Sequence, residues 1–269
     1  MLAPLLALAV LAPQWGMTGH RAAGTVTWEL LSPRARIVAN ALLQATGPED
    51  ASVWADEVRP RRPETAPLHY VNIRIRATQF IPERDCREGC VVTAIDSFAA
   101  IVADARRPEA ERGEALRFLM HFVQDMHQPL HVGENGDLGG NRVAVTIDGA
   151  SSNLHRVWDT DIFRGLNDAE LAERVRRRIA TMDREAVAKG TTLDWAWESH
   201  ALSRDVAYQL PADAKLTPSY LARARDIGEE RLAKAAIRLA ALIERAVGAR
   251  GSATGDRSTS GAGASPAAR

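Results

Sequence analysis

The sequence has few cysteines, few aromatic residues and no excess of either charge. Only 2 of its 269 residues are cysteine, and aromatic residues make up 5% of the chain. The 34 basic and 34 acidic residues cancel, giving a formal net charge of zero. A protein that binds nucleic acid through lysine and arginine alone carries a basic excess, so this class is excluded. Any affinity for phosphate has to come from local charge, and bound metal is one source of it.

The chain also lacks an apolar run long enough to span a membrane, which takes about 20 residues in a helix. Its most apolar stretch is the start, MLAPLLALAVLAPQ, which is typical of a secretory signal. We therefore predict a signal peptide at 1–14 and a periplasmic or secreted protein. The C-terminal segment 251–269 has no periodicity and is predicted to be a disordered tail. The remaining residues, 15–250, suit one domain.

The two cysteines, Cys86 and Cys90, lie close together in the segment DCREGC. In an exported protein they are expected to form a disulfide, and Gly89 gives the short loop the backbone freedom it needs. Half of a zinc site is the alternative, but a second pair of ligands is not nearby. The sequence favours the disulfide, conditional on export.

The hydrophobic pattern is helical over most of the chain. Ser32-Pro33 and Thr217-Pro218 are typical helix starts, with proline in the first turn. Helical periodicity is found at 33–45, 90–106, 110–128, 152–163, 168–187, 191–209 and 218–247. Two short segments, 68–73 and 141–148, are predicted to be extended, and turn signals flank the second. The predicted fold is all-α, a single mainly helical domain with one small β-hairpin.

Two of the seven histidines belong to the pattern His-x-x-x-Asp, His121 with Asp125 and His155 with Asp159. Residues four apart lie on the same face of a helix, so each pair directs an imidazole and a carboxylate to one point. Zinc accepts both ligand types. A single pair of this kind is more often a surface hydrogen bond. Two pairs with further His and Asp residues favour a metal site.

The other histidines come from separate segments. His131 follows Pro129, which ends a helix, so the chain can turn back to the same region. Asp56 in WADEVR and His69 in LHYVN supply another carboxylate and another imidazole. His127 is two residues from Asp125 and points to a different face, so we predict a core or supporting role for it. For His200 we also predict no ligand role.

Three motifs, HFVQDMHQPLHVGENGDLGGN, NLHRVWDT and WGMTGHR, resemble those of the zinc-dependent single-strand-specific nucleases. That family includes extracellular fungal nucleases, plant bifunctional nucleases and bacterial relatives, and it is sister to the bacterial zinc phospholipases C. The resemblance covers about 15 to 210, including WAWESHALSRDVAY. It implies the helical fold of the phospholipase C/nuclease superfamily.

The resemblance implies three zinc ions held by nine residues. The first set is Asp56, His69 and His121; the second is His131, His155 and Asp159; the third is His20 with the α-amino nitrogen and carbonyl oxygen of Trp15, and Asp125 bridges the first and third sets. A terminal amine binds metal only when it is free. Signal cleavage before Trp15 is therefore predicted to complete the site.

The resemblance also implies residues that act on the substrate. Asp56 and Asp125 would be catalytic through the metals, and Arg59 would neutralise charge on the phosphate. The alternative for Arg59 is a surface salt bridge, since it begins the basic run 59–62. Tyr70 would stack on a base, which requires an unpaired base. Asn72 and Thr160 stand at substrate-contacting positions where fungal members carry Asp and Asn. Base preference is therefore not carried over to this chain.

The predicted function is an exported three-zinc endonuclease of single-stranded DNA and RNA, acting as a monomer without a membrane anchor. It is expected to leave 5′-phosphate products and to have 3′-nucleotidase activity. A zinc phospholipase C is one alternative, but it would carry apolar surface loops, and no aromatic cluster is present. A non-catalytic zinc-binding protein is the other, but such a relative tends to have lost ligands.

Overall fold

The computed structural model describes residues 16–248, and within them the chain is mainly helical. Its α-helices are α1 (Met17–Leu30), α2 (Pro33–Leu43), α3 (Pro48–Val58), α4 (Pro82–Asp85), α5 (Val91–Ala103), α6 (Glu109–His127), α7 (Leu154–Asp159), α8 (Asp168–Ile179), α9 (Arg184–Val187), α10 (Thr192–Leu202) and α11 (Pro218–Gly248). The predicted signal peptide at 1–14, Trp15 and the predicted tail at 251–269 lie outside the described residues.

Helix α6 lies at the centre of the molecule. Helices α2, α3, α5 and α11 pack around it, and every residue from Phe118 to His127 is buried. Aromatic rings form part of its packing: the ring centroids of Phe118 and Phe122 are 5.4 Å apart, and the ring centroid of Phe98 on α5 lies 4.8 Å from that of Phe118. Because this helix is surrounded on all sides, the polar residues of its C-terminal half are enclosed as well.

The core has a second hydrophobic cluster, which forms around α11. This helix has 31 residues and packs on α1, α6 and α8. Trp158 of α7 is fully buried in this part of the core, and its indole N–H donates to the Tyr220 hydroxyl at 3.0 Å. Helix α7 is thereby anchored to α11. Neither α11 nor any other helix within 16–248 is apolar enough over a sufficient length to cross a membrane.

Two small sheets complete the fold. Strand β3 (Ala144–Ile147) pairs antiparallel with β4 (Ala150–Asn153), which confirms the predicted hairpin. Strand β1 (Ile73–Arg74) pairs in parallel with β2 (Gly133–Glu134), a contact between distant segments that the sequence did not predict. The extended conformation predicted at 68–73 is wrong for its first residues, which lie in the 3-10 helix Pro63–His69.

The all-α fold class is confirmed, and so are both helix starts at proline. Ser32 Oγ accepts a hydrogen bond from the Ala35 N–H at 3.2 Å, and Thr217 Oγ1 accepts one from the Tyr220 N–H at 3.2 Å. Three predicted helices are shorter than expected. The segment 152–163 begins in β4 and breaks after α7, 168–187 splits into α8 and α9, and α10 gives way to a π-helix at Ser203–Ala207.

Helices α1 and α3, which pack against each other, were not predicted from the sequence. Residues with low helix propensity, Gly24 among them, lie inside α1. A Cβ atom on Gly24 would lie 2.3 Å from Ser52 Oγ and 2.6 Å from the Pro48 carbonyl oxygen. The glycine is therefore needed for a close approach between the two helices. Packing of this kind stabilises a helix whose local sequence does not predict it.

Candidate metal centre

Eight His and Asp side chains from separate segments converge at one place. They are His20 on α1, Asp56 on α3, His69 at the end of a 3-10 helix, His121 and Asp125 on α6, His131 in the 3-10 helix Pro129–His131, and His155 and Asp159 on α7. All are buried except Asp56, which is partly exposed. They form three groups that could hold metal ions. The first is His20, Asp56 and His121; the second is His69, His121 and Asp125; the third is His131, His155 and Asp159.

Asp125 lies at the junction of these groups because its two carboxylate oxygens face different histidines. Oδ2 is 2.8 Å from His69 Nδ1 and 3.1 Å from His121 Nε2. Oδ1 is 3.5 Å from His20 Nε2 and 3.4 Å from His131 Nδ1. This arrangement allows one carboxylate to contact cations on two sides.

Asp56 approaches the same histidines from α3. Its Oδ1 atom lies 3.7 Å from His121 Nε2 and 3.8 Å from His69 Nδ1, so the structure brings this predicted ligand set together. Arg59, one turn further along, places Nη1 3.6 Å from Asp56 Oδ1. A guanidinium therefore lies at the edge of the centre, where it could meet an anionic substrate.

The third group is built on α7. His155 Nε2 lies 3.1 Å from Asp159 Oδ2 across one helical turn, the spacing that the His-x-x-x-Asp pattern predicted. His131 Nε2 lies 3.5 Å from Asp159 Oδ1, and the rings of His131 and His155 stack with centroids 5.1 Å apart. The predicted set of His131, His155 and Asp159 is thus also brought together.

Hydrogen bonds outside the centre orient four of its histidines. In each of them Nδ1–H donates to an oxygen: His20 to Gln124 Oε1 at 2.6 Å, His121 to the Ser52 carbonyl at 2.7 Å, His131 to the His69 carbonyl at 3.1 Å and His155 to the Gly139 carbonyl at 2.7 Å. Each bond fixes the ring and directs Nε2 towards the aspartates of the centre, where a neutral ring can offer its lone pair to a metal ion. Histidines that bind metal are held in this way.

Several buried ligand atoms have no hydrogen-bond partner. They are His20 Nε2, Asp56 Oδ1, Asp125 Oδ1, His131 Nε2 and Asp159 Oδ2. A buried polar atom without a partner costs about 1–3 kcal/mol, so gathering several in one place is expensive unless a ligand compensates them. Imidazole nitrogens and carboxylate oxygens are donors that divalent metal ions such as zinc accept. The residues present therefore fit a metal.

The charges of the centre also suit cations. Burial opposes ionisation of Asp125 and Asp159, but nearby imidazoles outweigh it and lower the pKa of Asp159 to about 2 and that of Asp125 well below its usual range. Burial lowers the pKa of His69, which favours the neutral ring. Both aspartates are therefore anionic at neutral pH, the form in which carboxylates bind metal.

The first described residue, Gly16, lies against this centre. Its N–H donates to the Asp159 carbonyl oxygen at 2.7 Å, and a Cβ atom on it would lie 3.0 Å from Thr160 Oγ1. The Thr160 hydroxyl, a predicted substrate contact, is buried without a hydrogen-bond partner. The chain thus enters α1 from the edge of the metal centre, while the predicted ligand Trp15 lies outside the described residues.

A cavity of about 580 Å³ opens beside His131 and His155. Two predicted substrate-binding residues, Tyr70 and Asn72, line it, and so does Leu138, which the sequence analysis missed. Tyr70 is 37% exposed and Leu138 is 58% exposed, so the cavity offers two apolar surfaces to a ligand. Leu138 has a φ of 60°, a conformation that costs a non-glycine residue about 1–3 kcal/mol. The only sequence signal for Leu138 was its position as an apolar residue among the turn-forming residues of NGDLGG.

Two glutamines that were not predicted from the sequence also support the centre. Gln124 links His20 to α3, since its Nε2 donates to Ser52 Oγ at 3.2 Å. Gln128 donates from Nε2 to Asp159 Oδ1 at 2.5 Å. Both side chains are fully buried, and the only signal was their place in HFVQDMHQ beside the ligands.

The remaining histidines lie outside the three groups. His127 donates from Nδ1 to the Val123 carbonyl at 2.7 Å and accepts at Nε2 from Arg238 at 2.9 Å. Burial and two neighbouring arginines lower its pKa well below the usual value, so it is a neutral core residue. His200 donates from Nε2 to the Arg74 carbonyl at 3.0 Å.

The disulfide between Cys86 and Cys90 is present, as predicted, so neither sulfur is available for a zinc site. The loop that it closes lies next to the cavity, since Arg87 within the loop is one of the lining residues. The N–H of Val91, directly after the loop, donates to the Tyr70 carbonyl at 3.0 Å. The disulfide loop is therefore tied to the residue predicted to stack on a base.

The fold and the site together define a helical hydrolase with an enclosed His and Asp centre that could hold metal ions. A family model described as S1/P1 Nuclease matches residues 15–248, and the chain belongs to this family. It is a nuclease, an enzyme that hydrolyses phosphodiester bonds in nucleic acids.

Named relatives agree with this assignment. The chain is 32% identical over 258 aligned positions to Nuclease PA3 of a Penicillium species, covering 84% of this chain and 95% of the relative. It is 27% identical over 276 positions to Nuclease S1 of Aspergillus oryzae, covering 90% and 95%. It is 30% identical over 269 positions to Endonuclease 4 of Arabidopsis thaliana, covering 86% and 88%.

Proposed function

We propose that this protein is an exported three-zinc endonuclease that cleaves single-stranded DNA and RNA to 5′-phosphate products and also hydrolyses 3′-nucleotides. The observation that carries the proposal is the set of buried ligand atoms without hydrogen-bond partners in three adjoining groups. Bound zinc would recover the free energy that their burial costs.

These side chains and the amino end of Trp15 would supply the ligands of three zinc ions, in sets that differ in part from the three groups described above. Asp56, His69 and His121 would hold the first, His131, His155 and Asp159 would hold the second, and His20 with the amino end of Trp15 would hold the third. Asp125 lies between the first and third sets, since its two oxygens face His121 and His20. When bound, zinc lowers the pKa of its water towards about 7 and offsets negative charge on a phosphate. The orienting hydrogen bonds to the histidines support these roles.

The ligand role of Trp15 requires that residues 1–14 are removed as a signal peptide. Two observations support it: Gly16 hydrogen-bonds to the Asp159 carbonyl, and His20 follows within the first turn of α1. The Cys86–Cys90 disulfide supports export, because disulfides persist in oxidising compartments. The mature domain then comprises 15–250, followed by the tail 251–269.

The chain's own residues bind and orient the substrate around the metals. Arg59, paired with Asp56 at 3.6 Å, offers its guanidinium to the scissile phosphate. Tyr70 and Leu138 line the cavity in which a base can stack, and the amide of Asn72 can hydrogen-bond to the base edge. Thr160, whose hydroxyl is buried next to Gly16 without a hydrogen-bond partner, is the further proposed substrate contact. Stacking between these surfaces needs a base that is not paired, which explains a preference for single strands.

The proposal is tested on the mature protein purified from an export-competent host. Its first residue is determined by N-terminal sequencing, zinc is counted by elemental analysis, and its mass in solution is measured. Hydrolysis of single-stranded DNA, double-stranded DNA, RNA, 3′-AMP and phosphatidylcholine vesicles is then compared. We expect Trp15 as the first residue, three zinc ions per chain, a monomer, and cleavage of single strands and 3′-AMP.

The alternatives give different results in the same assays. Lipid cleavage without nucleic-acid cleavage would indicate a phospholipase C and would contradict the proposal. Full zinc occupancy without cleavage of any substrate would indicate a non-catalytic zinc-binding protein. A protein that begins upstream of Trp15 and cleaves at full rate would exclude the amino end as a ligand.

A further inference from the structure

One wall of the cavity beside the metal centre is rich in arginine. Arg74, Arg84 and Arg87 line it together with Tyr70 and His131. Among the described residues of the lining, Glu134 is the only acid, and its carboxylate accepts hydrogen bonds from three backbone N–H groups of the loop that follows it. The wall is therefore locally cationic although the whole chain has no net charge.

The three arginines differ in whether a carboxylate neutralises them. Arg84 is engaged by Asp85, with Nε 2.5 Å from Oδ1 and Nη2 2.8 Å from Oδ2. Among the described residues, the guanidinium of Arg87 hydrogen-bonds only to the carbonyl oxygen of Glu83, at 3.5 Å. Within 16–248, neither Arg74 nor Arg87 forms a salt bridge, and both side chains are exposed. These two guanidinium groups are therefore available to an anion.

Both arginines are carried by segments that are held in place. Arg74 lies on β1 opposite Glu134 of β2, and its carbonyl oxygen accepts a hydrogen bond from His200 Nε2 at 3.0 Å. Arg87 lies inside the loop closed by the Cys86–Cys90 disulfide. A ligand that binds them therefore does not have to order the backbone, which lowers the free-energy cost of binding.

We propose that Arg74 and Arg87 bind a second phosphate of a single-stranded polynucleotide, next to the phosphate that reacts at the metal centre. A guanidinium matches the geometry of a phosphate better than that of most other anions, because its N–H groups form a planar fork. A strand carries a phosphate on each nucleotide, whereas a 3′-mononucleotide carries only one. The arginine wall thus makes this enzyme favour polynucleotides. The inference rests on the proposed nuclease function.

The test compares the double variant Arg74→Gln/Arg87→Gln with the control Arg34→Gln/Arg223→Gln, in the full mature enzyme. The control removes the same charge at two exposed arginines outside the cavity lining. Values of kcat and KM are measured on a single-stranded oligonucleotide and on 3′-AMP over a range of salt concentrations. All four substitutions are at exposed positions, so folding should be retained.

We expect the Arg74/Arg87 variant to lose about tenfold in kcat/KM on the oligonucleotide, mainly through KM, as for loss of hydrogen bonds to a charged group. Its loss on 3′-AMP should be much smaller. The dependence of log(kcat/KM) on log salt should become shallower by about 0.7, the value for one phosphate contact on a single strand. The control variant should keep the salt dependence of the unmodified enzyme.

Two results would overturn the inference. Equal losses on both substrates would show that the arginines do not bind a second phosphate, and so would a salt dependence that matches the control. Either result leaves the proposed nuclease function intact, provided that the unmodified enzyme cleaves the oligonucleotide. An unmodified, zinc-loaded enzyme that cleaves no nucleic acid would instead overturn the proposed function, and this inference with it.

Discussion

His121 and Asp125 lie one helical turn apart on α6, with His121 Nε2 3.1 Å from Asp125 Oδ2. The other carboxylate oxygen of Asp125 faces His20 Nε2 on α1 at 3.5 Å. Both residues of α6 are completely buried. The central helix of the fold therefore supplies the carboxylate at which two of the candidate ligand groups meet.

This position makes Asp125 more sensitive to substitution than Arg59. Asp125→Asn removes a negative charge whose two oxygens face histidines of different ligand groups, whereas Arg59→Ala removes only a contact at the edge. For Asp125→Asn we expect kcat to fall by at least about 100-fold and the zinc content to decrease. For Arg59→Ala we expect kcat to fall about tenfold while the zinc content stays that of the unmodified enzyme. Elemental analysis and kcat on single-stranded DNA measure both. Equal residual rates at equal zinc content would contradict the bridging role.

Tyr70 should contribute through its ring and not its hydroxyl. Stacking of a base on an aromatic ring is worth about 1–3 kcal/mol, so Tyr70→Ala is expected to raise KM for a single-stranded oligonucleotide about tenfold. Tyr70→Phe is the matched control because it keeps the ring, and its KM should stay close to that of the unmodified enzyme. If both variants bind equally poorly, the hydroxyl and not the stacking surface is responsible.

Gln124 should act through His20. Its Oε1 atom accepts the His20 Nδ1–H at 2.6 Å, which fixes the imidazole that faces Asp125. Gln124→Ala is expected to weaken zinc binding about 10–100-fold, as other losses of supporting hydrogen bonds do. Competition with a chelator of known affinity measures this. Gln124→Glu retains an acceptor and should bind zinc more tightly than the alanine variant; the same loss in both would mean that this hydrogen bond is not the cause.

Glu198 should make the fold sensitive to acid. Burial opposes its ionisation, but Arg238 and Arg231 outweigh it and lower its pKa from 4.5 to about 2. Because the folded pKa is the lower one, the stabilisation is complete above about pH 4.5 and is lost as pH falls towards 2. The free energy of unfolding should therefore be lower for Glu198→Gln at pH 7, and the difference should shrink towards pH 3.

Denaturant titrations of both proteins between pH 7 and pH 3 measure this difference directly. Glu185→Gln, at an exposed position on α9, serves as the control and should follow the unmodified protein at every pH. A gap between Glu198→Gln and the unmodified protein that stays constant over the whole range would contradict the expected role of ionised Glu198.

Local sequence patterns were sufficient for the parts of the fold that depend on neighbouring residues. Helix α2 starts where Ser32 and Pro33 predict it, and α11 follows its apolar periodicity to the end of the described chain. Strand β3 lies between the predicted turn signals, and the second of them, Asp148-Gly149, forms the turn to β4. Helix α1 was missed because its stability depends on the approach of Gly24 to α3, and not on local propensity.

The sequence by itself determined which residues could form a metal centre, because the helical repeat alone brings His121 towards Asp125 and His155 towards Asp159. Only the tertiary structure decided how these pairs meet the other residues, since α1, α3 and the 3-10 helix Pro63–His69 have to pack against α6 before His20, Asp56 and His69 reach Asp125. The same holds for the arginine wall: the parallel pairing of β1 with β2 and a disulfide loop place Arg74 and Arg87 at one cavity. Contacts of this kind depend on the path of the whole chain, which local periodicity does not encode.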